Sequence, residues 1–122
     1  MLQVLLIDDN PTQLRVREAV LREGGCAVCC VTTAEEALAY LQDAPSTANF
    51  GVIVTDHVLP GDSGSEFVRR LRALNSKIPV IVITGLAEAE PEYHDLGVTF
   101  LAKPCPPEQL IACVRDALGG NC

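Results

Sequence analysis

Short apolar runs alternate with amphipathic stretches along the chain. Val4–Ile7 is one such run, and it ends in Asp8 and Asp9. Ala27–Val31, Gly51–Thr55, Pro79–Thr84 and Val98–Leu101 are of the same kind. Continuous apolar runs of this length, bounded by polar or breaker residues, predict strands buried on both faces. Between them the apolar positions recur at helical spacing. Asn10-Pro11 opens a first helix, with Asn10 as N-cap and Pro11 at the first helical position. Val16, Ala19 and Val20 are expected on its inner face, and Gly24-Gly25 ends it. Thr33-x-x-Glu36 reads as a capping box for a second helix whose Ala37, Leu38 and Leu41 turn inward. Ala44–Asn49 reads as a polar loop, and Pro60-Gly61-Asp62-Ser63-Gly64 as a loop by its breakers. A third helix carries Phe67, Val68, Leu71 and Leu74 on one side. The last helix opens at Pro107, carries Leu110, Ile111, Val114 and Leu118, and closes at Gly119-Gly120.

Strands that alternate with helices predict an α/β fold: a (βα)5, doubly wound, five-stranded parallel sheet of the flavodoxin-like type. At 122 residues this is one domain spanning 1–122. The fourth helix is the weak element. Ala87–Leu96 has few apolar residues, and Pro91 limits helix propagation. A short or irregular, partly unwound and mobile fourth helix is expected.

Composition narrows the function. A 48% apolar chain is not intrinsically disordered. No apolar run is long enough for a membrane span, and Met1-Leu2-Gln3-Val4 has no basic signal-peptide region. Sixteen acids against nine Lys and Arg give a net charge of −7. That balance argues against nucleic-acid binding or attachment to an anionic membrane by this domain. Six cysteines in a chain that is neither secreted-looking nor loop-rich read as reduced, buried thiols, and hence as cytoplasmic. Cys26-x-x-Cys29 lacks a second pair at zinc-site spacing.

In parallel sheets of this kind, ligands bind outside the carboxyl ends of the strands. Asp8 and Asp9 follow the first predicted strand, Asp56 the third, Thr84 the fourth, and Lys103-Pro104 the fifth. Taken singly, each has an ordinary explanation as a turn former, strand end or solvated charge. Together they place three carboxylates, a hydroxyl and an ammonium on one rim. Clustered carboxylates repel unless something compensates. Oxygen donors without His or Cys select Mg²⁺ or Mn²⁺ over zinc. A carboxylate can also serve as a nucleophile and form an aspartyl-phosphate. The cation, ammonium and hydroxyl then neutralise or hydrogen-bond the phosphoryl oxygens.

Leu-Leu-Ile-Asp8-Asp9-Asn-Pro, Thr55-Asp56-x-x-Leu59-Pro60-Gly61-x-x-Gly64, Val-Ile-Val-Ile-Thr84-Gly85 and Gly97-x-x-Phe100-Leu-x-Lys103-Pro104 occur in order along the chain. The set resembles the receiver domain of two-component response regulators. The resemblance implies that Asp56 is the phosphoacceptor. It implies that Asp9 and Asp56 bind Mg²⁺ directly, Asp8 through water, with the Val58 carbonyl as a further ligand. Thr84 is then the hydroxyl that moves onto the phosphoryl group, and Lys103 pairs with that group. The Lys103–Pro104 peptide is expected to be cis. Phe100 takes the place of the family's switch aromatic and, having no hydroxyl, would act by packing alone.

The implied partner is a histidine kinase or phosphotransfer protein, with an output domain or protein downstream. The module is not an enzyme beyond its own phosphorylation and dephosphorylation. Two other readings compete. One is a pseudo-receiver that binds partners without phosphorylation, which the complete set of site residues disfavours. The other is a haloacid-dehalogenase-like phosphatase. That class carries an Asp-x-Asp pattern on its first strand, where this chain reads Asp8-Asp9-Asn10.

Thr84 to Lys103 is about one helical turn shorter than the resemblance implies, which puts the family's usual dimer face in doubt. Val58 and Leu86, two positions beyond Asp56 and Thr84, are apolar and cannot orient an attacking water. Slow loss of the phosphoryl group, over hours, is therefore expected. Gly85 leaves room for a phosphodonor. His57 is expected to point away from the phosphate, because successive strand residues face opposite sides. Tyr93 and His94 are candidate output contacts. Cys105 reads as a loop residue, Arg69-Arg70-x-Arg72 as a solvated face, and Leu14 as an exposed contact for the kinase.

Overall fold

The computed structural model describes residues 3–42, 50–59, 61, 63–74 and 77–119. The chain runs β1 (Gln3–Ile7), α1 (Pro11–Glu23), β2 (Ala27–Val31), α2 (Ala34–Gln42) and β3 (Phe50–Asp56). It continues with α3 (Gly64–Ala73), β4 (Val80–Thr84), a 3-10 helix (Ala87–Tyr93), β5 (Val98–Ala102) and α4 (Pro107–Ala117). The five strands form one parallel sheet in the order β2-β1-β3-β4-β5. The predicted loop 44–49 lies outside the described residues, as do Pro60, Asp62 and Gly120.

Both faces of the sheet are covered, which is why the strands read as continuous apolar runs. Leu5, Ile7, Ile53 and Val82 face α2 and α3, where Phe67, Val68 and Leu71 pack. Val4, Leu6, Val52, Val54 and Ile83 face α1 and α4, where Leu21, Leu110, Val114 and Leu118 pack. From β1 the chain crosses to β2 on one side and then returns to β3 on the other. The crevice between β1 and β3 is thus the topological switch point. Asp8 leaves β1 and Asp56 ends β3 on the two sides of it.

The helix starts follow the sequence closely. Asn10 caps α1 by accepting from Gln13 N at 3.0 Å. Thr33 Oγ1 accepts from Glu36 N at 3.1 Å, but the Glu36 carboxylate reaches Thr32 N and Oγ1 instead of Thr33 N. Gly25, at φ 91°, turns the chain out of α1 in a conformation that side chains disfavour.

The inner face of α1 differs from the expectation. Val16 is 57% exposed and Ala19 is exposed, whereas Arg17 and Leu21 are buried. Leu14 is half-buried against the core, so it is not the exposed contact expected of it. The inward stripe is Leu14-Arg17-Leu21, at helical spacing. A basic residue occupies its centre because Asp8 and Asp56, contributed by other elements, provide the opposite charge there.

Leu74 is 46% exposed because α3 ends at Ala73 and Leu74 is its C-cap. Arg72 is not part of a solvated face. Its guanidinium donates to the carbonyls of Ile78 (2.8 Å) and Leu96 (2.9 Å), tying α3 to the turns around β4 and β5. Arg69 donates to the Glu92 carbonyl at 3.0 Å. Cys29, Cys30, Cys105 and Cys113 are half-buried free thiols. Cys26 is disulfide-bonded, which corrects the reading of all six as reduced.

Candidate functional site

The carboxyl ends of β1 and β3 bring Asp8 and Asp56 into one crevice. Asp8 is 1% exposed and Asp56 is 6% exposed, and Asp9 stands exposed beside them. Each oxygen of the two buried carboxylates has a donor. Asp8 Oδ1 accepts from Asn10 N at 2.9 Å, and Oδ2 from Arg17 Nη1 at 2.8 Å. Asp56 Oδ1 accepts from His57 N at 3.1 Å, and Oδ2 from Lys103 Nζ at 2.9 Å. Arg17 Nη1 also lies 3.7 Å from Asp56 Oδ2, so one guanidinium serves both carboxylates. The Gln13 amide, oriented with its oxygen inward, accepts from Lys103 Nζ at 3.3 Å and from Arg17 Nη2. Burial pushes the Asp8 carboxyl above its ordinary pKa. The Asn10 amide and Arg17 oppose that shift, and the nearby Asp56 charge adds to it.

Lys103 reaches Asp56 from the end of β5, across β4. The Lys103–Pro104 peptide is cis. Thr84 closes β4 and is 7% exposed. Its Oγ1 accepts from Leu86 N at 3.0 Å, which turns the hydroxyl towards its own loop. Thr84, Gly85, Leu86, Phe100 and Lys103 line one cleft of about 370 Å³ at the carboxyl ends of β4 and β5. A side chain at position 85 would meet only Lys103 Cβ, at 3.8 Å. Val58 is 63% exposed and Leu86 is 43% exposed, two apolar side chains in the loops that follow β3 and β4.

On the far side of β3 the structure builds a polar aromatic cluster that the sequence did not announce. His57 is 8% exposed, and its Nδ1 lies 2.7 Å from the Tyr93 hydroxyl, so its ring faces away from the carboxylate. Tyr93 ends the 3-10 helix and is 3% exposed, so it is core and not an exposed output contact. Its ring meets Phe100 edge-on, with centroids 5.0 Å apart. Gly64 is required beneath this cluster, because a Cβ there would collide with the Tyr93 hydroxyl and approach the Asp56 carbonyl oxygen to 2.8 Å. His94 is exposed. The Cys105 thiol is pushed up by burial, which makes it a poorer nucleophile.

Arg17 and Gln13 are the site residues that sequence reasoning passed over. The signal was present: Arg17 lies three residues after Leu14 and four before Leu21 on the helix that starts beside Asp8. The donor set suits a hard cation, because it offers carboxylate oxygens and no His or Cys. As the side chains stand, however, no three acids, histidines or cysteines among the described residues are gathered to hold one.

The whole chain has close structural counterparts. The receiver domain of the Francisella response regulator 1452 superposes with a TM-score of 0.86 at 27% identity, covering 98% of each chain. The chemotaxis response regulator CheY4 of Vibrio cholerae gives 0.82 at 29% identity, covering 97% of this chain and 99% of that one. In sequence, the chain is 31% identical to the uncharacterized transcriptional regulatory protein YkoG of Bacillus subtilis, over 97% of this chain and 51% of that protein. It is 34% identical to the C4-dicarboxylate transport transcriptional regulatory protein DctD of Pseudomonas aeruginosa, over 95% of this chain and 25% of that protein. The chain thus spans about half the length of the first of these relatives and a quarter of the second. A model of the response regulator receiver domain matches residues 4–115, nearly all of the sheet and its helices, and the chain therefore belongs to that family of two-component signalling domains.

Proposed function

We propose that Asp56 accepts a phosphoryl group from a histidine kinase or a phosphotransfer protein, and that residues 1–122 form one receiver domain. The observation that carries this is the pairing of Asp56 Oδ2 with Lys103 Nζ at 2.9 Å in the crevice between β1 and β3. An ammonium there offsets the charge that develops as Asp56 attacks phosphorus. The P–N bond of the phosphohistidine breaks as the P–O bond to Asp56 forms, and the imidazole leaves. Thr84, 7% exposed at the end of β4, has a hydroxyl whose oxygen accepts from Leu86 N and whose hydrogen is donated to the phosphoryl group as Thr84 moves onto it. Phe100 and Tyr93, in edge contact, are the packed pair through which that movement reaches the surface.

Receiver domains generally use Mg²⁺ for phosphorylation. Here Asp9, Asp56 and the Val58 carbonyl, with Asp8 behind them, would hold Mg²⁺ or Mn²⁺, which supplies positive charge to the phosphoryl oxygens. Val58 and Leu86, two positions beyond Asp56 and Thr84, are exposed apolar side chains where a side-chain base would be needed to align water. The phosphoryl group is accordingly lost over hours, and a half-life under about a minute at neutral pH would refute this. The domain is not an enzyme beyond these reactions on itself. It acts in the cytoplasm, binds neither nucleic acid nor membrane, and passes its signal to an output domain or protein. Among the described residues no helix is long and apolar enough to cross a membrane.

The test is incubation with Mg²⁺ and acetyl phosphate, followed by intact-mass spectrometry. One phosphoryl adduct that is absent from Asp56→Ala is expected. No adduct on the wild-type chain would favour the pseudo-receiver.

A further inference from the structure

We infer that Arg17 is a built-in counterion of the acidic crevice that competes with the divalent cation for Asp8 and so weakens cation binding. The inference rests on the proposed metal site at Asp8, Asp9 and Asp56. Arg17 is 8% exposed, and its Nη1 lies 2.8 Å from Asp8 Oδ2 and 3.7 Å from Asp56 Oδ2. It therefore stands between the two carboxylates that a shared cation has to approach. Its second terminal nitrogen, Nη2, is held by the Gln13 amide, so both terminal nitrogens are engaged. A guanidinium keeps its charge at any working pH and cannot yield by losing a proton.

Two consequences follow from charge alone. Three carboxylates face two protein cations, Arg17 and Lys103, so most of the field that attracts a divalent ion is already offset. The inner oxygen of Asp8 is also engaged by a charge-assisted hydrogen bond that a cation's water shell has to displace. Removing Arg17 restores one full negative charge in a buried place, where Asp8 has no other ion-pair partner within 4 Å among the described residues.

Mn²⁺ binding to the full chain, read from the electron paramagnetic resonance signal of free Mn²⁺, tests this directly. Arg17→Met and Arg17→Gln should each tighten Mn²⁺ binding by at least about tenfold over the wild type. Binding by the variants where the wild type shows none also supports the inference. Equal or weaker binding in both variants, with wild-type binding lost in Asp9→Asn, overturns the role of Arg17 and leaves the metal site standing. Absence of Mn²⁺ binding in every form overturns the metal site, and the inference with it. If a variant unfolds without metal, its far-ultraviolet circular dichroism is followed on adding Mn²⁺. Recovery of the fold supports the competition, and failure to recover at saturating Mn²⁺ overturns it.

Discussion

Around Asp56 the two sides of the rim are held by different forces. Towards β1, Asp8, Arg17, Gln13 and Lys103 form a charged network in which each buried carboxylate oxygen has a donor. Towards the 3-10 helix, His57, Tyr93 and Phe100 form a packed aromatic column with one buried hydrogen bond. The charged side joins α1 to strand ends, whose positions are set by the parallel ladder. The aromatic side depends on a seven-residue 3-10 helix that contains Pro91 and lies on the opposite face of β3. A change in the first should therefore alter chemistry and metal response. A change in the second should alter stability and the transmission of the signal.

The largest expected effect lies on the charged side. Arg17→Met leaves Asp8 buried without its ion partner and should lower the metal-free unfolding free energy by about 3–5 kcal/mol in urea titrations. A loss under about 1 kcal/mol would mean that solvent reaches Asp8 freely. Next comes Lys103→Ala, which should slow phosphorylation by acetyl phosphate about 10²–10³-fold. Tyr93→Phe should change the same rate by less than about threefold, since its ring touches no reacting atom; comparable losses in both would erase the division between the two sides.

Gly64→Ala separates the sides by stability. Its methyl group would strike the Tyr93 hydroxyl and the Asp56 carbonyl, costing about 1–3 kcal/mol. The added Cβ should matter less in Gly64→Ala/Tyr93→Phe, and strict additivity in that double variant would disprove the clash with Tyr93. The smallest effect is that of Tyr93→Phe alone, about 1 kcal/mol for the lost bond to His57. It carries a pH signature. Burial, then the charges of Glu92 and Asp56, hold the Tyr93 phenol above its ordinary value. Its contribution to stability is complete below the unfolded pKa near about 10 and is lost as pH rises towards the raised folded value. The wild type should thus lose stability more steeply than Tyr93→Phe above that pH, as followed by urea unfolding; parallel alkaline limbs would contradict it.

Most of the fold was legible in the pattern of residues. Strand runs such as Val4–Ile7 and Val80–Thr84 are apolar throughout because both faces are covered, and their ends fall within a residue or two of the expectation. Asn10-Pro11 and the Thr33 cap were equally readable, because a cap is a local hydrogen bond. The strand-end rule placed Asp8 and Asp56 in one crevice. Less legible were residues whose burial depends on other elements. Val16 and Ala19 were expected inward by apolarity, yet the helix turns Arg17 in. Arg72 looked solvated and instead binds carbonyls on the far side of two loops. Tyr93, set in an acidic stretch and a candidate output contact by sequence, is core.

The order of apolar runs and breakers was enough to decide the parallel sheet, its two covered faces and the cluster of acids at its carboxyl rim. Those features follow from backbone periodicity and from the rule that a strand's end is where its polar residues begin. The direction of Arg17, the His57–Tyr93 bond and the reach of Lys103 to Asp56 belong to the folded chain. A buried charge or hydroxyl is stable only beside a partner, and here each partner comes from a different element.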